Sequence, residues 1–331
     1  MQDSSGSTSA KAEIFASTNS GCVAGIDLGG TNLRVAISDM KGKSLAKWSC
    51  SIVGIRDANR IIDLICDGVN SLLEKRSLSR DALRAAGVGV PGIIDVDHGR
   101  VIATSYLMGW RDIPLTALLE AKLNVPVSID NDVNVAAIGE SRAGAALGAA
   151  DFVFLAIGTG IGAGIVLNRQ LYRGHAWMAG EVGYMLVPGV SETPAESSAP
   201  GALEMAVGGE GIKAQWRSRW SEGRSALPID ASATEIFDSA LISDVIAQEV
   251  LQHSARTLAY AIYNICLVLN CPLFVLGGGV GVHPALGQAI RDVLRLRNTR
   301  AQPKVVSSSL GTEAQLMGAI YMAIEAASAR P

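Results

Sequence analysis

Three side chains that could do proton-transfer chemistry follow one another at residues 130–132. The run VPVSID predicts a strand, and DVNVAAIGESRAG predicts a helix that begins on Asp132. Asp and Asn are common helix N-caps, so one interpretation of Asp130, Asn131 and Asp132 is purely structural. The chemical interpretation is phosphoryl transfer to an alcohol, because the attacking hydroxyl must give its proton to a nearby carboxylate. One cap does not need three such residues, which favours the chemical interpretation.

Three glycine turns each follow a predicted buried strand. Their glycines allow backbone amides to approach a phosphate closely, and the threonine hydroxyls can donate to it. The turns are formed by Asp27, Gly29, Gly30 and Thr31, by GTGIGAG at residues 158–164 with Thr159, Gly160 and Gly162, and by LGGGVG at residues 276–281. The second turn is followed by a strand and lacks the GK[ST] ending of a P-loop. A plain structural turn is the alternative for each, but three together favour a nucleotide site, and Asp27 could hold hydrated magnesium.

Two glutamates lie among small and apolar residues, Glu181 in AGEVG and Glu204 in GALEMAVGG. Such carboxylates suit the hydroxyls of a polyol, because a solvated surface role is less expected in these surroundings. The alternative is that each caps a helix or pairs with Arg173 or Arg217.

The elements that must position these residues follow an α/β pattern. From Cys22 the sequence predicts three strands joined by tight turns, then a helix from Asn59 to Glu74 and a buried strand in AAGVGVPG. The run DFVFLAIGTGIGAGIVLNRQLY at residues 151–172 repeats the glycine hairpin IDLGGTNLRVAI at residues 26–37, which suggests an internal duplication. Long helices are predicted from Ser243 to Asn270 and near the end of the chain.

Composition narrows the class of protein. The chain has 331 residues, 49% of them hydrophobic, and a net charge of -3 with no cluster of Lys and Arg. We therefore expect large apolar cores and no nucleic-acid partner. No apolar run is long enough to span a membrane, residues 1–20 read as a flexible polar tail, and five scattered cysteines read as reduced structural thiols. These features predict a cytoplasmic protein with no membrane partner.

The motifs IDLGGTN, GVPG, DNDVNVAAIGE, GTGIGAG, AGEVG and LGGGVG occur in this order between Cys22 and Glu325. This ordered set resembles the ROK family of bacterial sugar kinases. The resemblance implies an actin-like (ribonuclease H-like) ATPase fold of two α/β domains with ATP and sugar in a central cleft, and a homodimer or homotetramer. The implied domains are residues 21–132, completed by a C-terminal helix at 312–331, and residues 133–311.

The resemblance also implies residue roles. Asp132 matches the catalytic base, and magnesium is expected through water on Asp27. The sugar-binding positions are Asn131, Glu181, Glu204, Tyr184 and Gly92. The nucleotide-binding positions are Asp27, Gly29, Gly30, Thr31, Thr159, Gly160, Gly162, Gly277, Gly278 and Gly279. The implied reaction is ATP-dependent phosphorylation of a hexose, glucose first, with N-acetylglucosamine, N-acetylmannosamine, fructose or allose as alternative acceptors. Polyphosphate as donor, and a non-catalytic sugar-binding sensor, stay open.

The sequence departs from the family pattern at one site. Many members carry a histidine and three cysteines that bind structural zinc, but here the histidine position is Tyr184 and the segment AESSAPGALE has no cysteine. Without thiolates or imidazole we expect no zinc. Tyr184 can offer a phenolic hydroxyl to the sugar, and Trp177 replaces a residue that is small in many relatives, so both positions bear on the identity of the acceptor.

Overall fold

The computed structural model describes residues 21–104, 106–191, 200–297 and 302–329. The predicted tail at residues 1–20 lies outside the described residues. The chain forms two compact units. One contains the described residues of Met1–Gly139 and Gln315–Pro331, and the other contains those of Glu140–Ala314. The domain boundary expected after residue 132 stays a prediction.

The first unit is built on a five-stranded sheet in the order β3-β2-β1-β4-β8. Strands β1, β2 and β3 pair antiparallel, whereas β4 and β8 run parallel to β1. Three short strands form a separate sheet, β5-β6-β7, and lie between β4 and β8 in the sequence. The elements are β1 (Cys22–Leu28), β2 (Asn32–Asp39), β3 (Ser44–Ser51), α1 (Ala58–Lys75), β4 (Leu83–Val90), β5 (Ile93–Asp95), β6 (Arg100–Ala103), β7 (Arg111–Ile113), α2 (Leu115–Leu123), β8 (Val127–Asn131) and α3 (Asp132–Ala143).

The second unit repeats this design. Its sheet has the order β11-β10-β9-β12-β13, again with an antiparallel hairpin on one side and parallel strands on the other. The duplication expected from the two glycine hairpins is therefore confirmed in the strand order. The elements are β9 (Phe152–Ile157), β10 (Ile161–Leu167), β11 (Gln170–Tyr172), α4 (Ala202–Val207), α5 (Gly209–Arg219), α6 (Ala233–Leu241), α7 (Val245–Leu269), β12 (Leu273–Gly277), α8 (Gly278–Gly281), α9 (Pro284–Arg295) and β13 (Lys304–Ser307).

The last helix, α10 (Ala314–Ser328), returns to the first unit and covers one face of its sheet. Val23 and Ala85 pack there against Ile320, while the other face of β1 packs in a larger core that includes Ile61 and Ile65 of α1. A strand covered on both faces is expected to be a nearly continuous apolar run, and in CVAGIDL the one charged residue, Asp27, is paired with Arg34.

Glycines permit the close approach of α10. A Cβ atom built on Gly87 would lie 2.1 Å from the Ala319 carbonyl oxygen, and one on Gly318 would lie 1.8 Å from the Val135 carbonyl oxygen. Any side chain at these positions would push the helix off the sheet.

Two further observations concern the sequence expectations. All five cysteines are free, and burial raises the pKa of each thiol above its ordinary value. In the part of the chain that the structure describes, no helix combines the length and the apolar character needed to cross a bilayer.

Candidate active site

The three polar residues at the junction of β8 and α3 make different hydrogen bonds. Asn131 caps the helix, because its Oδ1 accepts from the backbone amides of Val133 at 2.9 Å and Asn134 at 3.3 Å. The buried Asp130 accepts from the Asn131 amide at 2.7 Å and from Asn134 Nδ2 at 3.0 Å. Asp132 is the first residue of α3 and is only partly buried. Asp130 and Asn131 thus hold the backbone of the junction, and Asp132, whose Oδ1 also accepts from the Val133 amide at 2.9 Å, carries a carboxylate at a helix N-terminus, where negative charge is stabilised.

Asn131 and Gly92, two predicted sugar-binding residues, are in direct contact. Asn131 Nδ2 donates to the Gly92 carbonyl oxygen at 2.9 Å. Gly92 has a φ of +121°, and a Cβ atom there would lie 2.2 Å from the Ala103 carbonyl oxygen. Only glycine fits this backbone conformation and this space. The glycine therefore holds its carbonyl oxygen where it accepts from the Asn131 side-chain amide and orients it.

The first glycine turn joins β1 to β2. It is closed by a hydrogen bond of 2.9 Å from the Gly29 amide to the Asn32 carbonyl oxygen. The Thr31 side chain is exposed, its Oγ1 accepts from Asn32 Nδ2 at 3.1 Å, and its carbonyl accepts from the Ile52 amide at 2.9 Å. Gly30 lies against Tyr106. Three residues thus contact the turn: Asn32 at the start of β2, Ile52 directly after β3, and Tyr106 after β6.

Asp27 is buried and forms an ion pair with Arg34, its direct partner across the hairpin. Arg34 Nε lies 2.7 Å from Asp27 Oδ2, and Arg34 Nη2 also donates to Gln315 Oε1 at 3.3 Å. Sequence reasoning missed Arg34, although the register of a tight hairpin places it opposite Asp27.

The residues present fit a magnesium ion whose ligands are mainly nucleotide phosphates and water. Within the described ranges, no group of three or more His, Cys, Asp or Glu could hold a metal ion. Magnesium keeps several waters and commonly takes one or two carboxylates together with substrate phosphates. Since Asp27 already pairs with Arg34, the fitting role for Asp27 is a contact with the ion through water.

In the second unit, Glu204 supports the second glycine turn. Its Oε2 accepts from the Ile161 backbone amide at 2.8 Å. The Gly209 amide, at the start of α5, donates to the Gly158 carbonyl oxygen at 2.8 Å, and the Gly158 amide donates to Gly160 at 2.9 Å. A Cβ on Gly208 would lie 3.0 Å from the Thr159 carbonyl oxygen, so the turn rests directly on the junction of α4 and α5. Sequence reasoning did not foresee this second task of Glu204.

Glu181 and Glu204 influence each other electrostatically. The pKa of Glu181 is raised above its usual value, first because surrounding protein reduces the solvation of its charge and second because of the Glu204 carboxylate. Gly183 brings the two segments together, since a Cβ on it would lie 3.4 Å from Glu204 Oε2. Tyr184 follows in the same short helical turn and is exposed, and Trp177 has a positive φ of 58° in the preceding loop. Glu181, Tyr184 and Glu204 therefore belong to one region.

The third glycine segment begins a helix rather than an extended turn, which corrects the expectation of a glycine turn. Gly277 ends β12 under the Phe154 ring, and a Cβ on Gly278, which has a φ of +77°, would lie 2.4 Å from the Ile157 carbonyl oxygen. These two glycines are required by packing against β9. A Cβ on Gly279 or on Gly158 would meet nothing within 4 Å, so these two positions leave room for a ligand.

The predicted residues other than Gly162, Glu181, Tyr184 and Glu204 lie at or directly after the ends of parallel strands. In the first unit they follow β1, β4 and β8, which are parallel neighbours. In the second unit two glycine segments follow β9 and β12, also parallel neighbours. Carboxyl ends of parallel strands are where open α/β sheets bind ligands. The ROK family model matches residues 23–326.

The chain belongs to the ROK family. A glucokinase of Halalkalibacterium halodurans is 32% identical over 308 residues, which cover 89% of this chain and 92% of that protein. A xylose repressor of Caldicellulosiruptor bescii is 26% identical over 319 residues, covering 92% of this chain and 78% of that protein. A ROK family glucokinase from Streptomyces griseus, solved in complex with glucose and AMPPNP, is 25% identical with a TM-score of 0.78, covering 92% of this chain and 100% of that one.

Membership of the ROK family confirms two expectations, the actin-like ATPase fold and sugar kinase as the class of enzyme. It does not decide the acceptor, and the family also contains repressors. The residue roles implied by the motifs therefore remain to be argued from the local geometry.

Proposed function

We propose that this ROK protein transfers the γ-phosphoryl group of ATP to a hexose hydroxyl, with glucose converted to glucose 6-phosphate as the first candidate. The observation that carries this proposal is the division of labour at the start of α3. Asp130 accepts from the Asn131 amide and Asn131 caps the helix, while Asp132, which also accepts from the Val133 amide at 2.9 Å, is only partly buried. A carboxylate at this place is suited to accept a proton from an attacking hydroxyl.

In the proposed reaction, the sugar hydroxyl oxygen attacks the γ-phosphorus while its proton passes to Asp132. The bond from the γ-phosphorus to the bridging oxygen breaks, and ADP leaves with that oxygen. Asn131, held by Gly92, orients the sugar. Backbone amides of the glycine turns at residues 29–31, 158–162 and 277–279 bind the nucleotide. Magnesium, when bound with ATP, supplies positive charge that offsets charge on the phosphates.

Glu181, Glu204 and Tyr184 are proposed to bind the other sugar hydroxyls. Burial and the neighbouring Glu204 carboxylate raise the pKa of Glu181, which places the two carboxyl groups in one partly desolvated region. Carboxylate oxygens accept hydrogen bonds, and sugar hydroxyls donate them. The glucokinase relative and the glucose-bound structure support glucose as the first acceptor to test.

The test is a coupled assay of ADP release with hexoses and N-acetylhexosamines, run on the native protein, Asp132→Asn and the control Asp67→Asn. Asp67 is an exposed carboxylate on α1, so its variant should behave as the native protein does. We expect turnover with one sugar and a loss of about 10²–10⁴-fold in kcat for Asp132→Asn. Turnover that survives this substitution within a few-fold would overturn the role of Asp132.

The same panel addresses the alternatives. Polyphosphate replacing ATP tests the donor, and N-acetylglucosamine, N-acetylmannosamine, fructose and allose test the acceptor. Sugar binding by calorimetry without turnover in any combination would point to a non-catalytic sensor instead.

A further inference from the structure

Residues 106–110, which precede β7, combine buried side chains with exposed ones. Leu107 and Trp110 are buried, and the Trp110 amide donates to the Leu107 carbonyl at 3.1 Å. Tyr106, by contrast, is 49% exposed and Met108 is 59% exposed. Leu107 and Trp110 thus attach these residues to the core, while the Tyr106 side chain keeps about half of its surface exposed.

Tyr106 lies directly against the first glycine turn. A Cβ atom built on Gly30 would be 3.1 Å from Tyr106 Cβ and 3.5 Å from Tyr106 Cδ1, and all three of its nearest heavy atoms belong to Tyr106. The absence of a side chain at residue 30 is therefore what lets the tyrosine approach the turn.

Tyr106 is also connected to the sugar-binding side of this unit. Its backbone amide donates to Thr104 Oγ1 at 3.1 Å. Thr104 lies close to Gly92, because a Cβ on Gly92 would be 2.8 Å from Thr104 Cβ. Gly92 in turn accepts from Asn131, the neighbour of Asp132. The tyrosine thus sits in a continuous series of contacts that runs from the phosphate turn to the residue beside the proposed base.

A half-exposed aromatic ring at such a place has a clear chemical use. A pyranose presents hydroxyls at its edge and C–H groups on its faces, and burying apolar surface of both partners is favourable. Ligand pockets commonly combine aromatic side chains with a few polar groups that fix orientation. Asn131 and Asp132 provide polar groups in this unit, and Tyr106 provides the aromatic surface.

We propose that the ring of Tyr106 packs on the C–H face of the acceptor sugar and is a specificity-determining residue. This inference rests on the proposed sugar kinase function. The competing explanation is that Tyr106 only supports the Gly30 turn. In that case its removal would weaken ATP binding rather than sugar binding.

The experiment compares native protein, Tyr106→Ala, Tyr106→Phe and Tyr172→Ala. Tyr172 is a matched control, because it is a tyrosine of almost the same exposure, 51%, on β11 of the other unit. The measured quantities are the KM values for sugar and ATP, and the sugar affinity by calorimetry without ATP. We expect Tyr106→Ala to raise the sugar KM and Kd about 10-fold, the factor that corresponds to about 1.4 kcal/mol, with the KM for ATP unchanged within two-fold.

Tyr106→Phe keeps the ring and should stay within two-fold of the native protein, as should Tyr172→Ala. The inference is overturned if Tyr106→Ala changes only the KM for ATP, if it changes neither constant, or if Tyr106→Phe loses as much sugar affinity as Tyr106→Ala. Absence of turnover in the native protein would defeat the proposed kinase reaction, whereas calorimetry would still measure the contribution of Tyr106 to sugar binding. A native protein that binds no sugar at all would overturn both.

Discussion

Glu140 is a glutamate whose side chain has 0% exposure, and it provides the sharpest stability prediction. Its Oε2 accepts from the Ala145 amide at 2.6 Å. Its Oε1 accepts from the Ser308 hydroxyl and, at 3.3 Å, from the Leu310 amide. The carboxylate therefore joins the end of α3 to the segment after β13, which is far away in the sequence.

The cost of removing this carboxylate follows from the three donors that it satisfies. Glu140→Ala leaves all three without their acceptor, at about 1 kcal/mol each when part of the loss is recovered by water, or about 3 kcal/mol in total. For a unit of this size, that corresponds to a decrease in Tm of roughly 6–12 °C. Glu140→Gln keeps the shape and one acceptor, and the Ser308 hydroxyl can reverse its role. We therefore expect a smaller loss of about 1–2 kcal/mol.

Urea unfolding followed by circular dichroism would measure both variants, together with Glu249→Ala. Glu249 is an exposed glutamate on α7, and its replacement should change the free energy of unfolding by no more than about 0.5 kcal/mol. If Glu140→Ala is as stable as Glu249→Ala, the reasoning that the buried carboxylate holds the segment from Ser308 to Leu310 is refuted.

Two further predictions concern proposed sugar-binding residues. Gly92→Ala should cost about 2 kcal/mol more in unfolding free energy than the control Gly54→Ala and should raise the sugar KM. Both glycines have positive φ, but a methyl group meets the Ala103 carbonyl oxygen only at Gly92, so equal costs in urea titrations would count against it. For Glu181, the raised folded pKa means that stability falls as pH rises from the unfolded value of about 4.3 through the folded value. Glu181→Gln should match the native stability below pH 4 and exceed it at pH 7; a less stable variant at pH 7 would contradict this.

Local patterns allowed much of the fold to be predicted. The predicted helices at residues 59–74, 132–144 and 243–270 agree with α1, α3 and α7 within a few residues. The small sheet β5-β6-β7 and the helices α4, α5 and α6 were not predicted. Strands of three or four residues contain too few positions to show a period of two. The helix α6 did carry a signal in the sequence, because Ser232 and Glu235 form a capping box and Ala233, Ile236, Phe237 and Ala240 have helical spacing.

The sequence by itself determined which residues could do chemistry and where along the chain they fall, because glycine turns and helix starts depend on near neighbours. It also determined the family, through the order of the motifs. Only the tertiary structure decided that Asn131 donates to the Gly92 carbonyl oxygen, that Glu204 supports the amide of Ile161, and that Tyr106 lies on Gly30. The last two contacts join residues far apart in the chain. These contacts depend on the order of the strands and on the space beside a glycine. The local periodicity of the sequence shows neither of these two features.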